Sequence, residues 1–163
     1  MIRLLAITLL GCIPPKPLWT WNAEAVPIIV LVDEALEPHY LPAIDDAIEW
    51  WNNQAGRKLF NRRGELRADA ALVIVMLYRG KRDILGLAER LGPGSAVVYL
   101  RAYDESRLHA RVVRHELGHV LGLAHEKAGG SLMFPAVLGR DYMISDDSWC
   151  LLKDLYGVGP PAP

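Results

Sequence analysis

The sequence predicts a single α+β domain, and three observations carry that expectation. Runs rich in β-branched residues recur at Pro27–Asp33, Ala70–Tyr78 and Ala96–Leu100, each of strand length. Between the first two, Leu41 to Gln54 places Ala43, Ile44, Ala47, Ile48 and Trp51 at helical spacing, as expected of a helix packed on a sheet. Further on, His115 and His119 stand one helical turn apart inside a stretch that begins near Asp104 or Ser106 and stops around Gly122.

The intervening segments read as punctuation. Gly92-Pro93-Gly94 marks a turn before the third strand. Asp146 and Asp147 fit the first turn of a final helix, where acidic side chains favour the dipole. Trp50 and Trp51, at the end of the first helix, read as core and rim packing rather than ligand contacts. The chain has 163 residues, enough for one domain with its own core and too few for two comfortable ones. A formal net charge of −1, from 18 basic and 19 acidic residues, creates no global field for nucleic acid, and no nucleic-acid partner is expected. The clusters Arg62-Arg63 and Arg111 with Arg114 read as solvated faces.

The N-terminus differs in character. Met1-Ile2-Arg3 and then Leu4 to Cys12 combine a positive start with a short apolar run, the outline of an export signal rather than a membrane span. Leu9-Leu10-Gly11-Cys12 resembles the lipobox of bacterial lipoproteins, which makes Cys12 a lipidation candidate and residues 1–12 a signal and lipobox segment. Residues 13–26, with Pro14-Pro15-Lys16-Pro17, read as a stiff proline-rich tether, residues 27–158 as the folded domain and 159–163 as a tail. The competing reading is a buried N-terminal strand with an incidental cysteine. Only Cys12 and Cys150 exist, so a disulfide and a lipid on Cys12 exclude one another. The expected location is exported, extracellular or in the cell envelope, with membrane attachment through the lipidated N-terminus and a monomeric state.

The chemistry concentrates in His115-Glu116-Leu117-Gly118-His119-Val120-Leu121-Gly122-Leu123-Ala124-His125. Two imidazoles on one helix face can share an ion, and the carboxylate of Glu116 beside them can reach a water on that ion without ligating it. On a continuing helix His125 would point about 120° away from the His119 direction and lie about 9 Å further along the axis, too far to ligate. The chain must therefore turn back, and Gly122 is the residue that tolerates the φ > 0 conformation required. Three protein ligands leave a fourth position open, which separates a catalytic zinc from a structural one. An amphipathic helix with exposed or core histidines would explain a lone His-x-x-x-His pair. It would not explain Glu116, Gly122 and His125 at their places.

This pattern resembles the metzincins, whose signature is H-E-x-x-H-x-x-G-x-x-H followed by a methionine-containing turn. Ser131-Leu132-Met133-Phe134-Pro135 looks like the turn of the matrixin branch, and Leu121 to His125, Ile144 to Asp147 and Leu155-Tyr156-Gly157 also read as matrixin. The resemblance runs from about Pro27 to Gly157. It implies a zincin-like fold: a twisted mixed sheet packed on an N-terminal helix and the active-site helix, with a Met-turn and a C-terminal helix. It places a short edge strand at Asp83–Ala88, packs Met133 beneath the site, and lines the pocket for the residue after the cut with Phe134, Pro135, Ala136 and Val137.

Some positions depart from the family. Glu126, after the third histidine, is what astacins carry where matrixins usually have Ser. Pro135 stands where astacins and serralysins have a ligating tyrosine, and Val137 where matrixins often have Tyr, so pocket depth does not carry over. No stretch resembles the cysteine-switch propeptide, so latency by that route is not expected. His39 and His109 are too few for a second, structural zinc, and one catalytic Zn2+ is expected. The implied activity is a zinc-dependent endopeptidase acting on peptide or protein substrates, with His115, His119 and His125 as ligands and Glu116 as general base. The alternative is a surface-anchored zinc-fold binding module with little turnover, against which an intact Glu116 argues.

Overall fold

A computed structural model describes residues 14–21, 25–34, 36–62, 71–79, 84–101, 106–136 and 142–159, with only the backbone at 37–39 and 106–109. In chain order the elements are β1 (Ile28–Val32), α1 (Glu37–Ala55), β2 (Phe60–Asn61), β3 (Leu72–Leu77), β4 (Gly86–Gly92), β5 (Ser95–Leu100), α2 (Ser106–Val120) and α3 (Asp146–Tyr156). The strands form one mixed sheet in the order β2-β1-β3-β5-β4. All neighbours run parallel except β4, which pairs antiparallel with β5 and leaves its other side at the sheet edge. This is the expected α+β, zincin-like arrangement.

Strand alternation explains the core. Ile28, Val30, Val73, Val75, Ala96 and Val98 project from one face of the sheet into a cluster with Ile44, Ala47 and Trp51 of α1 and Val113, Leu117 and Val120 of α2. Trp51 is fully buried and joins the two helices, its indole N–H donating to the Arg114 carbonyl at 2.8 Å. Arg114 then returns to α1, ion-pairing with Asp46 at 2.6 Å and stacking 5.1 Å from the Trp50 ring centre. Trp51 is therefore core and Trp50 rim, and neither lines the cleft described below.

Four expectations need correction. Helix α1 starts at Glu37 rather than Leu41, because a proline occupies its first turn, where the missing N–H costs nothing. The edge strand is Gly86–Gly92 rather than Asp83–Ala88, since its pairing with β5 continues to the turn at Pro93-Gly94. The two-residue β2 was not expected. It has no periodic signal, and is held by Asn52, whose side-chain oxygen accepts from Leu59 N at 2.7 Å and Phe60 N at 3.0 Å. Part of the expected tether is packed structure, with Trp21 at 6% exposure in the core.

That last difference has a physical cause. A helix leaves its final carbonyls without partners, and those of α2 lie in the interior. The indoles of Trp19 and Trp21 both donate to the Val120 carbonyl, at 2.9 and 2.5 Å. Leu18 N–H donates to Gly122 O at 2.8 Å, and the Tyr156 hydroxyl to Leu121 O at 3.1 Å. Cys12 and the signal segment lie outside the described residues, and Cys150 in α3 is disulfide-bonded. No helix among the described residues is long and apolar enough to cross a membrane.

Trp51→Ala should lower the unfolding free energy by about 3–5 kcal/mol, the usual cost of deleting a buried large aromatic. Denaturant unfolding followed by far-UV circular dichroism measures it. A loss below about 1 kcal/mol would contradict the central place given to this side chain.

Candidate metal centre and cleft

The reversal after α2 assembles the site. Gly122 adopts φ +94°, and a Cβ there would stand 2.5 Å from the Trp19 carbonyl oxygen, so both backbone and packing exclude a side chain. Gly122 N–H bonds to His119 O at 2.9 Å and Leu123 N–H to Gly118 O at 3.0 Å, which closes the turn. The chain then runs back, and His125 reaches the ring pair on α2. Donor atoms of His115, His119 and His125 all lie within 4.8 Å of one another.

The two helical rings are oriented from behind. His115 Nδ1 lies 2.7 Å from the Leu132 carbonyl and His119 Nδ1 2.8 Å from the Leu123 carbonyl. A carbonyl only accepts, so each Nδ1 carries the proton and each Nε2 presents a lone pair. Those lone pairs face His125 Nε2 at 3.3 and 3.1 Å. A single proton on His125 serves one of these contacts well, whereas a cation serves all three nitrogens. Bonds of about 2.0–2.1 Å to a tetrahedral ion place ligand nitrogens about 3.4 Å apart, so the donor set fits zinc. Burial lowers all three imidazole pKa values, that of His119 to about 4 with help from the neighbouring His115 ring, so the neutral, ligating form prevails at neutral pH.

Glu116 is 5% exposed and faces the cleft. Burial pushes its carboxyl up to about 8, against a hydrogen bond from the Ala88 backbone that pulls it down. The edge strand β4 presses directly on this group: a Cβ on Gly86 would stand 2.6 Å from Glu116 Oε1 and 2.7 Å from Val112 Cγ1. Met133 is buried, its sulfur against α2 at Gly118. The turn carrying it is held by Met133 N–H to Ser131 Oγ at 3.0 Å and Leu132 N–H to Met143 O at 2.9 Å.

A cavity of about 530 Å³ opens beside His115 and His125, between β4 on one side and Phe134, Pro135 and Ala136 on the other. Val137 lies outside the described residues, as do the side chains of His39 and His109. Arg111, expected on a solvated face, instead lines this cavity and stacks on Tyr142 at 3.0 Å from its ring centre. Partial burial lowers its pKa to about 10. Helical spacing contained the signal, since Arg111 precedes His115 by one turn and shares its face. The contacts of Gly86 and Ala88 with Glu116 had no comparable signal, because they join segments remote in sequence.

His119→Ala should leave the purified protein without stoichiometric metal, since two rings remain and the lost one is the most buried of the three. Elemental analysis after zinc-replete expression and dialysis checks this. Retention of one zinc per chain would contradict the three-ring site.

Similarity to known proteins bears on the family. Interstitial collagenase from Bos taurus is 29% identical over 147 residues, which covers 74% of this chain and 30% of that protein. Neutrophil collagenase from Homo sapiens is 25% identical over 162 residues, covering 89% of this chain and 34% of that one. This chain thus spans about a third of the length of these relatives. Among solved structures, a hatching-enzyme zinc protease from Oryzias latipes shares 18% identity at a TM-score of 0.45, over 66% of this chain and 49% of that one, which adds nothing to the assignment. The matrixin family profile matches residues 38–157, a span that contains all but the first residue of α1, strands β2 to β5, His115, His119, His125 and the final helix, and by that match the chain belongs to the matrixin family of peptidases.

Proposed function

We propose that the chain is a zinc-dependent endopeptidase that hydrolyses peptide bonds in peptide or protein substrates, with Glu116 as general base. One observation carries this reading: ring nitrogens of three imidazoles converge beside a buried carboxylate at the wall of an open cleft. His115, His119 and His125 would hold a single zinc. When bound, it supplies a Lewis acid for the scissile carbonyl and brings the pKa of an attacking water toward about 7.

The chain's own residues do the rest. The free side of β4 offers backbone groups to an extended peptide, which pairs as an added strand and is positioned without reading every side chain. Glu116, held at one oxygen by the Ala88 N–H, takes a proton from the attacking water and passes it to the leaving nitrogen. The residue after the cut enters the cavity walled by Phe134, Pro135 and Ala136, with Arg111, stacked on Tyr142, as a further part of the wall. Met133 contributes packing beneath the rings. The disulfide on Cys150 is compatible with export to an oxidising compartment. Since Cys12 is the only other cysteine, a protein anchored through a lipid on Cys12 would have no such bond.

Glu116→Gln keeps side-chain volume and removes the base, so zinc should stay bound while peptide hydrolysis falls by about 10²–10⁴-fold. Gly86→Ala should behave in the same direction, because its methyl group displaces the Glu116 carboxylate without touching a ligand. Digestion of a diverse peptide library, with zinc content measured on the same samples, tests both. Near-wild-type turnover in Glu116→Gln with zinc bound would overturn the mechanism. A wild-type protein that binds zinc and cuts nothing would give the lead to the binding-module reading.

A further inference from the structure

The three imidazoles are not held alike. His115 and His119 ride on a helix and each has a carbonyl behind its Nδ1. His125 is exposed, lies on irregular chain between Gly122 and the Met-turn, and its Nδ1 has no hydrogen-bond partner among the described residues. Its position must therefore come from its backbone.

The neighbouring residue supplies that constraint. Glu126 is tied from two sides: its N–H donates to the Met133 carbonyl at 2.9 Å, and its Oε1 accepts from the hydroxyls of Ser145 and Ser148, each at 2.5 Å. Ser145 is also the N-cap of α3, its Oγ accepting from Ser148 N–H at 3.1 Å. Ser148 is itself buried, so this end of α3 is a fixed point and the carboxylate sits at the favourable end of its dipole. The two ties link the peptide after His125 to the turn beneath the rings and to the last helix.

We infer that Glu126 is a positioning residue for His125, and that its carboxylate grip on Ser145 and Ser148 performs for the third ligand what the Leu132 and Leu123 carbonyls perform for the other two. The inference rests on the zinc-peptidase reading and assigns no chemistry to Glu126 itself. A side chain that merely capped α3 would affect stability alone. A positioning side chain affects metal affinity and ligand geometry as well.

The experiment measures zinc dissociation constants by chelator competition, and d–d absorption of the cobalt(II)-substituted protein, for wild type, Glu126→Ala, Glu126→Gln, Ser148→Ala and Asn52→Ala. Glu126→Ala should weaken zinc binding by about 10- to 100-fold, the usual effect of losing support behind a ligand, and should shift the cobalt spectrum. Glu126→Gln, whose amide oxygen can accept the same two hydroxyls, should recover most of that loss, and Ser148→Ala should fall between. Asn52→Ala, which frees the β2 segment far from the ligands, should lower Tm with zinc affinity unchanged. The inference is overturned if Glu126→Ala lowers Tm but leaves zinc affinity and the cobalt spectrum at wild-type values. Should that variant not fold, Ser148→Ala decides by the same two readings. Absence of zinc binding in the wild type is a separate result that removes the metal site itself.

Discussion

The carbonyl end of α2 is the constraint on which the site depends. A helix that continued would carry His125 away from its partners, and one that simply stopped would leave buried acceptors unmatched. The structure resolves both at once. Gly122 supplies the left-handed turn, while two indoles, one main-chain N–H and one tyrosine hydroxyl occupy the carbonyls of residues 120–122. The turn is thus over-determined, with a donor for each of these buried acceptors and no room for a Cβ. Elements as remote as the segment at Leu18–Trp21 and helix α3 help to position the third ring.

Around the rings, burial and hydrogen bonding act in concert. Desolvation disfavours the imidazolium forms, and the Nδ1–H bonds to main-chain carbonyls direct the remaining lone pairs inward. The same desolvation raises Glu116, which would leave a carboxylic acid near neutrality in the absence of charge nearby. A dication on the rings acts in the opposite direction and favours the carboxylate. The base and the metal are in this sense coupled through one dielectric environment, and the Ala88 N–H adds a directional contact that keeps the carboxylate facing the cleft.

What was legible in the sequence follows from the range of the interactions. Helical spacing, the glycine that ends α2 and the β-branched runs are local, and they place His115, Glu116, His119 and the principal strands where the structure has them. His125 was legible because geometry requires a reversal that only residue 122 could provide. The β2 pair, held by a side chain of α1, carries no periodic signal. Arg111 was readable from its turn relation to His115, but charge clustering pointed to solvent and outweighed spacing. The packed Trp19 and Trp21 were hidden among prolines, and nothing local indicates that their N–H groups end on carbonyls about a hundred positions away.

That distance bears on when the centre comes into existence. The indole contacts to Val120 span 101 and 99 residues, and the Tyr156 contact closes from the other end of the domain. Closing such long loops costs entropy before any contact rewards it, which places these contacts among the slower ones to form. A ribosome releases the first tryptophans well before the carbonyls they serve, and those before Tyr156. Completion of the three-ring centre therefore waits for synthesis past Tyr156, and a chain that has not reached that residue leaves the carbonyl end of α2 incompletely closed.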